Sequence, residues 1–177
     1  WERVANRSIF LGIEPWDGIS YDTTQVSVCG SPIIRNNEIW IYYQGARFRG
    51  ASEIYPDKFH EYFNDFGALG LATLRLDGFV SLYAKDAGEL ITKPFNVSNN
   101  ILKINVDSIL GNIKVAIIDA KTFDVLPKFS FDDCDDINKD NINLEVSWNG
   151  STNIDYHKPI RIVFKLQNAE IYSFWIE

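Results

Sequence analysis

The sequence predicts an all-β protein whose second part is a β-sandwich. Short runs of β-branched and aromatic residues recur between Gly, Asn, Asp and Pro residues, which is the pattern of strands and turns. Within several runs apolar and polar residues alternate, as expected for sheets that bury one face. With 46% hydrophobic and 14% aromatic residues, the 177-residue chain has enough apolar surface to build a core.

The first part of the chain is predicted to form an antiparallel sheet. Its strands are expected at residues 26–29, 31–35, 38–43 and 67–76. Asn36-Asn37 lies between two apolar runs, and because Asn tolerates positive φ, this pair predicts a hairpin turn. Asp77-Gly78 is a second turn dipeptide, so we place a domain boundary there and expect domains at 1–77 and 78–177.

A long insertion at about 50–66 separates two of these strands. Phe59, Tyr62, Phe63 and Phe66 have helical spacing and predict a short helix at about 56–64. An insertion of this length suits a lid or specificity loop. The alternative is a hydrophobic plug over a sheet edge.

The second part of the chain is a series of short strands. They are predicted at 79–83, 89–92, 101–106, 113–118, 144–148, 160–166 and 170–176. In the strand at 160–166 Arg161, Val163 and Lys165 alternate with Ile162, Phe164 and Leu166, which predicts one buried face. Gln167-Asn168 then turns the chain into its closing strand. Seven short strands with turns between them are typical of a β-sandwich or jelly roll.

Charge and hydropathy exclude two classes of partner. The formal net charge is -7, and no basic run exceeds two residues, whereas nucleic-acid binding needs a clustered basic face. No apolar run approaches the roughly 20 residues that span a bilayer. We therefore expect no nucleic acid and no membrane span. The acidic balance suits a neutral sugar, a cation or simply solubility.

Cysteines and sequons bear on the compartment. Cys29 and Cys134 each lie in or beside an apolar stretch, which favours free buried thiols over a disulfide. Sequons begin at Asn6, Asn96 and Asn149 and permit a secreted or extracytoplasmic setting, which we expect. A start on Trp1, within an apparent strand, favours a processed or excised fragment over a sequence that simply begins late.

Short segments along nearly the whole chain resemble segments that follow one another in the same order in one group of proteins. They are Pro-Trp-Asp-Gly at 15–18, Glu-Ile-Trp-Ile-Tyr-Tyr-Gln-Gly at 38–45, and the segments 72–82, 92–94, 102–105, 129–134, 146–150 and 158–166. In this order they resemble bacterial proteins related to glycoside hydrolase families 32 and 43. The resemblance implies that residues 1–77 are the last blade of a five-bladed β-propeller. It also implies that 78–177 are a C-terminal, jelly-roll or concanavalin-like β-sandwich, and that the other blades lie outside this chain.

The resemblance implies a carbohydrate-binding or scaffold fragment without a complete catalytic set. Glycoside hydrolysis normally needs two carboxylates about 5 to 9 Å apart. The Asn-Asp-Pro, Arg-Asp-Pro and Glu-Cys motifs of such enzymes are absent, so no catalytic residue is assigned. One alternative is a glycosidase whose catalytic carboxylates lie on a separate or removed chain. Another is a structural or surface protein that uses the sandwich for assembly.

A partner and a set of sugar-binding residues follow from the same resemblance. An incomplete propeller exposes a strand edge, which predicts association with a complementary polypeptide carrying the remaining blades. Trp16 and Asp17 offer a sugar a stacking face and an acceptor, and the alternative is an Asp-Gly turn with a packed Trp. Tyr42 and Tyr43 point to opposite faces, so at most one lines a site. Arg47 can bind a sugar carboxylate or sulfate, or remain a solvated loop side chain.

One acidic run is a candidate metal site. Residues 132–141 are the densest cluster of oxygen ligands, and Asp133, Asp135 and Asp140 could hold a structural Ca²⁺ ion. The run lacks the glycine and the terminal Glu of an EF-hand loop. The alternative is an acidic surface turn, and no other cofactor is expected.

Overall fold

The computed structural model describes residues 8–47, 66–97 and 100–177. Every regular element in these ranges is a β-strand, which confirms the predicted all-β class. The expected helix at 56–64 and nearly all of the insertion at 50–66 lie outside the described residues. The chain divides into two compact units, unit 1 (Trp1–Leu76) and unit 2 (Asp77–Glu177).

The described ranges contain eleven strands. They are β1 (Gln25–Val28), β2 (Ile33–Arg35), β3 (Glu38–Ala46), β4 (Gly67–Arg75), β5 (Leu82–Ala84), β6 (Gly88–Ile91), β7 (Leu102–Asp107), β8 (Asn112–Asp119), β9 (Asp140–Glu145), β10 (Ile160–Gln167) and β11 (Ala169–Ile176). Long connections separate β3 from β4, β8 from β9 and β9 from β10.

Unit 1 contains an antiparallel sheet built around β3. β4 pairs with β3 along its whole length, whereas β1 and β2 pair in succession with the other edge of β3. Asn36 and Asn37 have φ values of 51° and 66° between β2 and β3, so the predicted hairpin turn is confirmed. Unit 1 is therefore a meander in which one outer strand is interrupted between β1 and β2.

The two faces of this sheet differ in exposure. Ile39 and Ile41 of β3 are buried on one face. The opposite face, which we call the outer face, is apolar and exposed. It carries Ile33, Trp40, Tyr42, Leu69 and Leu71, which the strand register places side by side. Leu69 is the most exposed of these residues, at 76%.

Unit 2 is a β-sandwich of two antiparallel sheets, as predicted. One sheet has the strand order β6–β10–β8 and the other β5–β11–β7–β9. A continuous apolar core contains residues of both sheets, with Phe164, Leu102, Ile104 and Ile117 fully buried. The predicted inward side of β10 is correct, since its even-numbered residues at 160–166 are buried.

The turn between the last two strands connects the sheets. Asn168 has a φ of 43°, and its side-chain amide donates to the Leu110 carbonyl at 2.8 Å. β10 and β11 lie in different sheets, so this turn makes a crossing and not a hairpin. Gly111 packs against it so closely that a Cβ there would lie 1.8 Å from the Gln167 carbonyl oxygen.

The edge of β8 away from β10 is closed by loop backbone at Ile113 and Ile117 and by side chains at Val115. β8 pairs with β10 on one side only, and Val115 directs its backbone groups to the other side. Its N–H donates to the Cys134 sulfur at 3.2 Å, and its carbonyl accepts from Trp148 Nε1 at 2.9 Å. These bonds satisfy backbone groups that would otherwise be buried without partners.

Candidate functional site

The predicted residues Asp17 and Arg47 meet at one turn. The Asp17 carboxylate accepts from the backbone N–H of Ile19 at 2.8 Å and of Ser20 at 2.7 Å, and from the Ser20 hydroxyl. These bonds lower the pKa of Asp17 to about 2. Arg47 is buried, donates to the carbonyls of Ser20 at 3.1 Å and of Ile19, and lies over the Tyr21 ring. Arg47 thus fastens this turn from inside, which is a different place from the solvated loop or sugar-binding position expected.

The aromatic residues predicted in unit 1 are spread over different surfaces. Trp16 is 60% exposed. Tyr42 lies on the outer face, with its ring edge-on to Trp40 at 6.5 Å. Tyr43 lies on the other face, as alternation predicts, and donates to Asp22 Oδ2 at 3.1 Å while its ring covers Gly70. Burial is the main cause that raises the pKa of Tyr43, and the hydrogen bond to Asp22 adds to it.

The grooves of unit 1 are small where the structure describes them. The one between Tyr43 and Asp22 has a volume of about 180 Å³, and the one beside Phe66 about 250 Å³. Ligand pockets usually measure roughly 300–1,000 Å³. The described part of unit 1 therefore does not assemble Trp16, Asp17, Tyr42, Tyr43 and Arg47 into one pocket.

The acidic run braces a turn. Asp133 accepts from the Ser130 hydroxyl at 2.6 Å and from the Asn149 side-chain amide at 3.0 Å. Asp135 accepts from the Ser147 hydroxyl and from the Gly150 N–H. Hydrogen bonds from Ser130 and Ser147, respectively, are the main causes that lower the pKa of Asp133 and Asp135.

These acids do not converge with the third predicted ligand. Asp140 begins β9 and pairs with Asp107 of β7. Across residues 8–47, 66–97 and 100–177, no group of three or more His, Cys, Asp or Glu side chains is placed to hold a metal ion. The structure thus does not bring Asp133, Asp135 and Asp140 together as a calcium site.

The cysteines are both free thiols. Cys134 is buried, as expected, but Cys29 is exposed, because it follows β1 where the outer strand is interrupted. Desolvation is the main cause that raises the pKa of Cys134.

A groove larger than those of unit 1 lies on unit 2 and was not predicted. We call it the Tyr156 groove. It has a volume of about 800 Å³, within the usual range of ligand pockets. Two segments line it: residues 126–129 on one side and residues 148–156 on the other.

The aromatic walls of this groove are held rigidly. Phe129 packs edge-on against Trp148 with ring centroids 5.1 Å apart, and Trp148 is itself fixed by its bond to Val115. The Tyr156 hydroxyl donates to Asp119 Oδ2 at 2.6 Å. This bond raises the pKa of Tyr156 and, with bonds from Thr122 and Lys121, lowers that of Asp119 to about 2.

A tight turn places polar groups on the rim. Asn149 and Gly150 have φ values of 50° and 78°, and Trp148 and Ser151 exchange backbone bonds of 2.8 and 3.0 Å across them. This is the Asn-Gly turn favoured in two-residue hairpins. One N–H of the Asn149 side-chain amide donates to Asp133, so its second N–H and its Oδ1 are left for a ligand.

The rim is otherwise built from exposed polar residues. They are Ser151, Asn153, Asp155 and Lys128. Amide and hydroxyl groups can each donate or accept hydrogen bonds, so such a rim suits a ligand with many hydroxyl groups. The signals in the sequence were indirect: Asn149 stood out only as a sequon, and Phe129 and Trp148 only within segments of family resemblance.

Comparison with protein-family models, curated proteins and solved structures finds no match for this chain. Among the described residues, no helix is long and apolar enough to cross a membrane. The function is therefore argued from the site itself.

Proposed function

We propose that the chain is a carbohydrate-binding part of a glycoside-hydrolase-like protein and that unit 2 holds a neutral sugar in the Tyr156 groove. The observation that carries the proposal is the preformed groove of about 800 Å³ with fixed aromatic walls and an amide-rich rim. Aromatic rings offer apolar faces to the C–H groups of a sugar, and amides bind its hydroxyls.

The fixed geometry of the groove's aromatic side chains favours ligand binding. The Tyr156 hydroxyl is hydrogen-bonded to Asp119, and Phe129 packs on the buried Trp148 ring, so the two aromatic rings that a ligand meets need no ordering. Preorganised walls strengthen binding because less side-chain entropy is lost on association. The one lysine and one aspartate among the groove residues balance in charge, which suits a neutral ligand.

Binding can be tested with a panel of neutral hexasaccharides: gluco-, xylo-, arabino-, manno- and fructo-hexaose. We expect at least one to bind, and Tyr156→Ala and Asn153→Ala to weaken that binding. Loss of an aromatic contact worth about 0.5–1.5 kcal/mol corresponds to a two- to twelve-fold weaker Kd. Tyr83→Ala is the matched control, since Tyr83 is an exposed tyrosine of unit 2 outside the groove. Binding that resists both groove variants, or fails throughout the panel, contradicts the proposal.

A second function, assembly with a complementary polypeptide, is favoured by the outer face of unit 1. Leu69, Leu71 and Tyr42 form an exposed apolar sheet surface, and such patches commonly mark protein interaction sites. The partner that fits is a polypeptide with an apolar sheet face, as a neighbouring propeller blade would be. Leu69→Lys with Leu71→Lys should lower both the binding of a hydrophobic dye and the concentration-dependent association of the chain. If neither falls, this surface is not an interaction face.

Catalysis is assigned to no residue of the chain. In this proposal hydrolysis by the wider protein depends on carboxylates supplied outside this sequence, and the setting is secreted or extracytoplasmic. The chain alone should not hydrolyse any hexaose that it binds. Release of monosaccharide from that hexaose, abolished by substitution of acids in this chain, would favour an enzyme complete in itself.

A further inference from the structure

A second groove on unit 2 crosses the surface of the sheet β6–β10–β8. We call it the Phe131 groove. It has a volume of about 680 Å³, again within the usual range of ligand pockets. Its floor includes Phe131, and its sides come from β6, β8 and β10.

Charged side chains form a row across three strands. The register places Glu89 of β6 beside Lys165 of β10, and Lys165 beside Lys114 of β8. The next row pairs Gln167 with Asn112. Directly opposite residues of a sheet share a face, so these five polar groups converge on the groove.

Two of these charged side chains, Lys165 and Glu89, have no ionic partner among the described residues. Lys114 is held by Asp136 at 2.8 Å and by the Cys134 carbonyl. Within the described ranges, neither Lys165 nor Glu89 forms an ion pair, and the Lys165 ammonium rests on the Phe131 ring at 4.0 Å. A charged group that faces a groove without an ionic partner can make strong, charge-assisted hydrogen bonds to a ligand.

The remaining charges indicate the class of ligand. Because Asp136 neutralises Lys114, Lys165, Glu89 and Asp132 are the charged groups left to the groove. Two acids and one base do not favour an anionic ligand, and all three groups can bind hydroxyl groups. With an aromatic floor and two amides nearby, the arrangement fits a neutral polyhydroxylated ligand.

We propose that the Phe131 groove is a second carbohydrate site, which makes the chain bivalent for neutral glycans. Neighbouring stretches of the chain line the two grooves: residues 126–129 line the Tyr156 groove, and Phe131 and Asp132 line the other. The ligand class rests on the proposed function of the Tyr156 groove, but the second site has its own residues. Two sites on one rigid sandwich raise the avidity for a polysaccharide without any new contact.

Counting the sites tests this inference. Titration calorimetry with the hexaose that binds best should give two equivalents per chain. Phe131→Ala and Tyr156→Ala should each weaken one of the two equivalents about two- to twelve-fold and leave the other unchanged, and the double variant should weaken both. Glu89→Gln with Lys165→Gln changes only exposed groups and should weaken the second site severalfold even if Phe131→Ala impairs folding. Lys85→Gln, an exposed control outside the groove, should change nothing.

The outcomes separate the two proposals. A single equivalent that Tyr156→Ala weakens and that the Phe131-groove variants leave unchanged overturns the second site but keeps the first. A single equivalent that only the Phe131-groove variants weaken overturns the Tyr156 groove and keeps the second site. If no hexaose of the panel binds, both are overturned.

Discussion

Trp148 is the residue at which the core and the Tyr156 groove meet, and Trp148→Phe tests both. The side chain is 2% exposed. Its Nε1 donates to the Val115 carbonyl at 2.9 Å, on the edge of β8 that faces away from β10. Phenylalanine keeps an aromatic ring at this position but has no N–H. The substitution therefore leaves a buried backbone carbonyl without its partner.

The expected effect on stability is large. An unsatisfied buried acceptor costs about 1–3 kcal/mol. The smaller ring also leaves a cavity beside Phe129, which adds on the order of 1 kcal/mol. For a domain of 60–100 residues each kcal/mol lowers Tm by about 4–8 °C, so we expect a fall of at least about 8 °C.

Thermal unfolding of the full chain by far-ultraviolet circular dichroism measures this fall. Trp175→Phe is the matched control, since its Nε1 makes only a 3.4 Å bond to the exposed Glu177 of the same unit. The variant should also bind the hexaose more weakly at temperatures where it is folded, because the smaller ring holds Phe129 less firmly. If Trp148→Phe is as stable as Trp175→Phe, closure of the β8 edge by this side chain is refuted.

Three further predictions follow from the described contacts. The pKa of Asp119 is about 2 in the folded chain against about 3.9 unfolded, so its stabilising effect is complete above about pH 4 and is lost as the pH falls through 2. Asp119→Asn should flatten the fall of Tm between pH 4 and 2; an unchanged slope contradicts this. Gly111→Ala forces a Cβ into the Gln167 carbonyl and should lower the free energy of unfolding, measured in urea, by at least about 1–3 kcal/mol. Gly30 has open space around it, so Gly30→Ala should change that free energy by less than about 1 kcal/mol. Equal effects would argue against the close crossing at 167–168. In native buffer a thiol reagent should modify Cys29 alone, and Cys134 only after unfolding, because burial shields it; two fast-reacting thiols would place Cys134 at the surface.

Local signals in the sequence predicted the strands and several turns well. Asn36-Asn37 forms the expected hairpin turn because only residues that tolerate positive φ fit a two-residue loop. The alternation of β10 gave the correct inward side, since a strand with one face on a core repeats every two residues. These features depend on near neighbours alone.

Features that depend on distant contacts were beyond the same signals. The turn at Asn168 resembles a hairpin locally, but it carries the chain into the opposite sheet, because β11 pairs with β7 and β5. Likewise, Val163 of β10 is buried although it shares the outward row of Arg161 and Lys165. Arg47 was expected near solvent, and its burial depends on carbonyls 27 to 29 residues earlier.

The candidate site escaped sequence reasoning for a similar reason. Its walls come from residues 126–129 and 148–156, two stretches that contain no ligand motif and are joined only by packing. The acidic run between them attracted attention as a metal site, yet Asp133 and Asp135 brace the turn at Asn149-Gly150. In the sequence, carboxylates that accept hydrogen bonds from nearby Ser, Asn and Gly residues look the same as carboxylates that bind a metal ion. The structure distinguishes the two because it shows the hydrogen-bond donors.

The claim that a neutral glycan occupies unit 2 is tested most directly by following backbone amide resonances of the labelled chain during titration with the best-binding hexaose. We predict that shifts concentrate at residues 126–132 and 148–156, with a second group at 165–167 for the Phe131 groove. Shifts confined to residues 8–47, around Asp17 and Tyr42, would contradict the account and return the sugar site to unit 1.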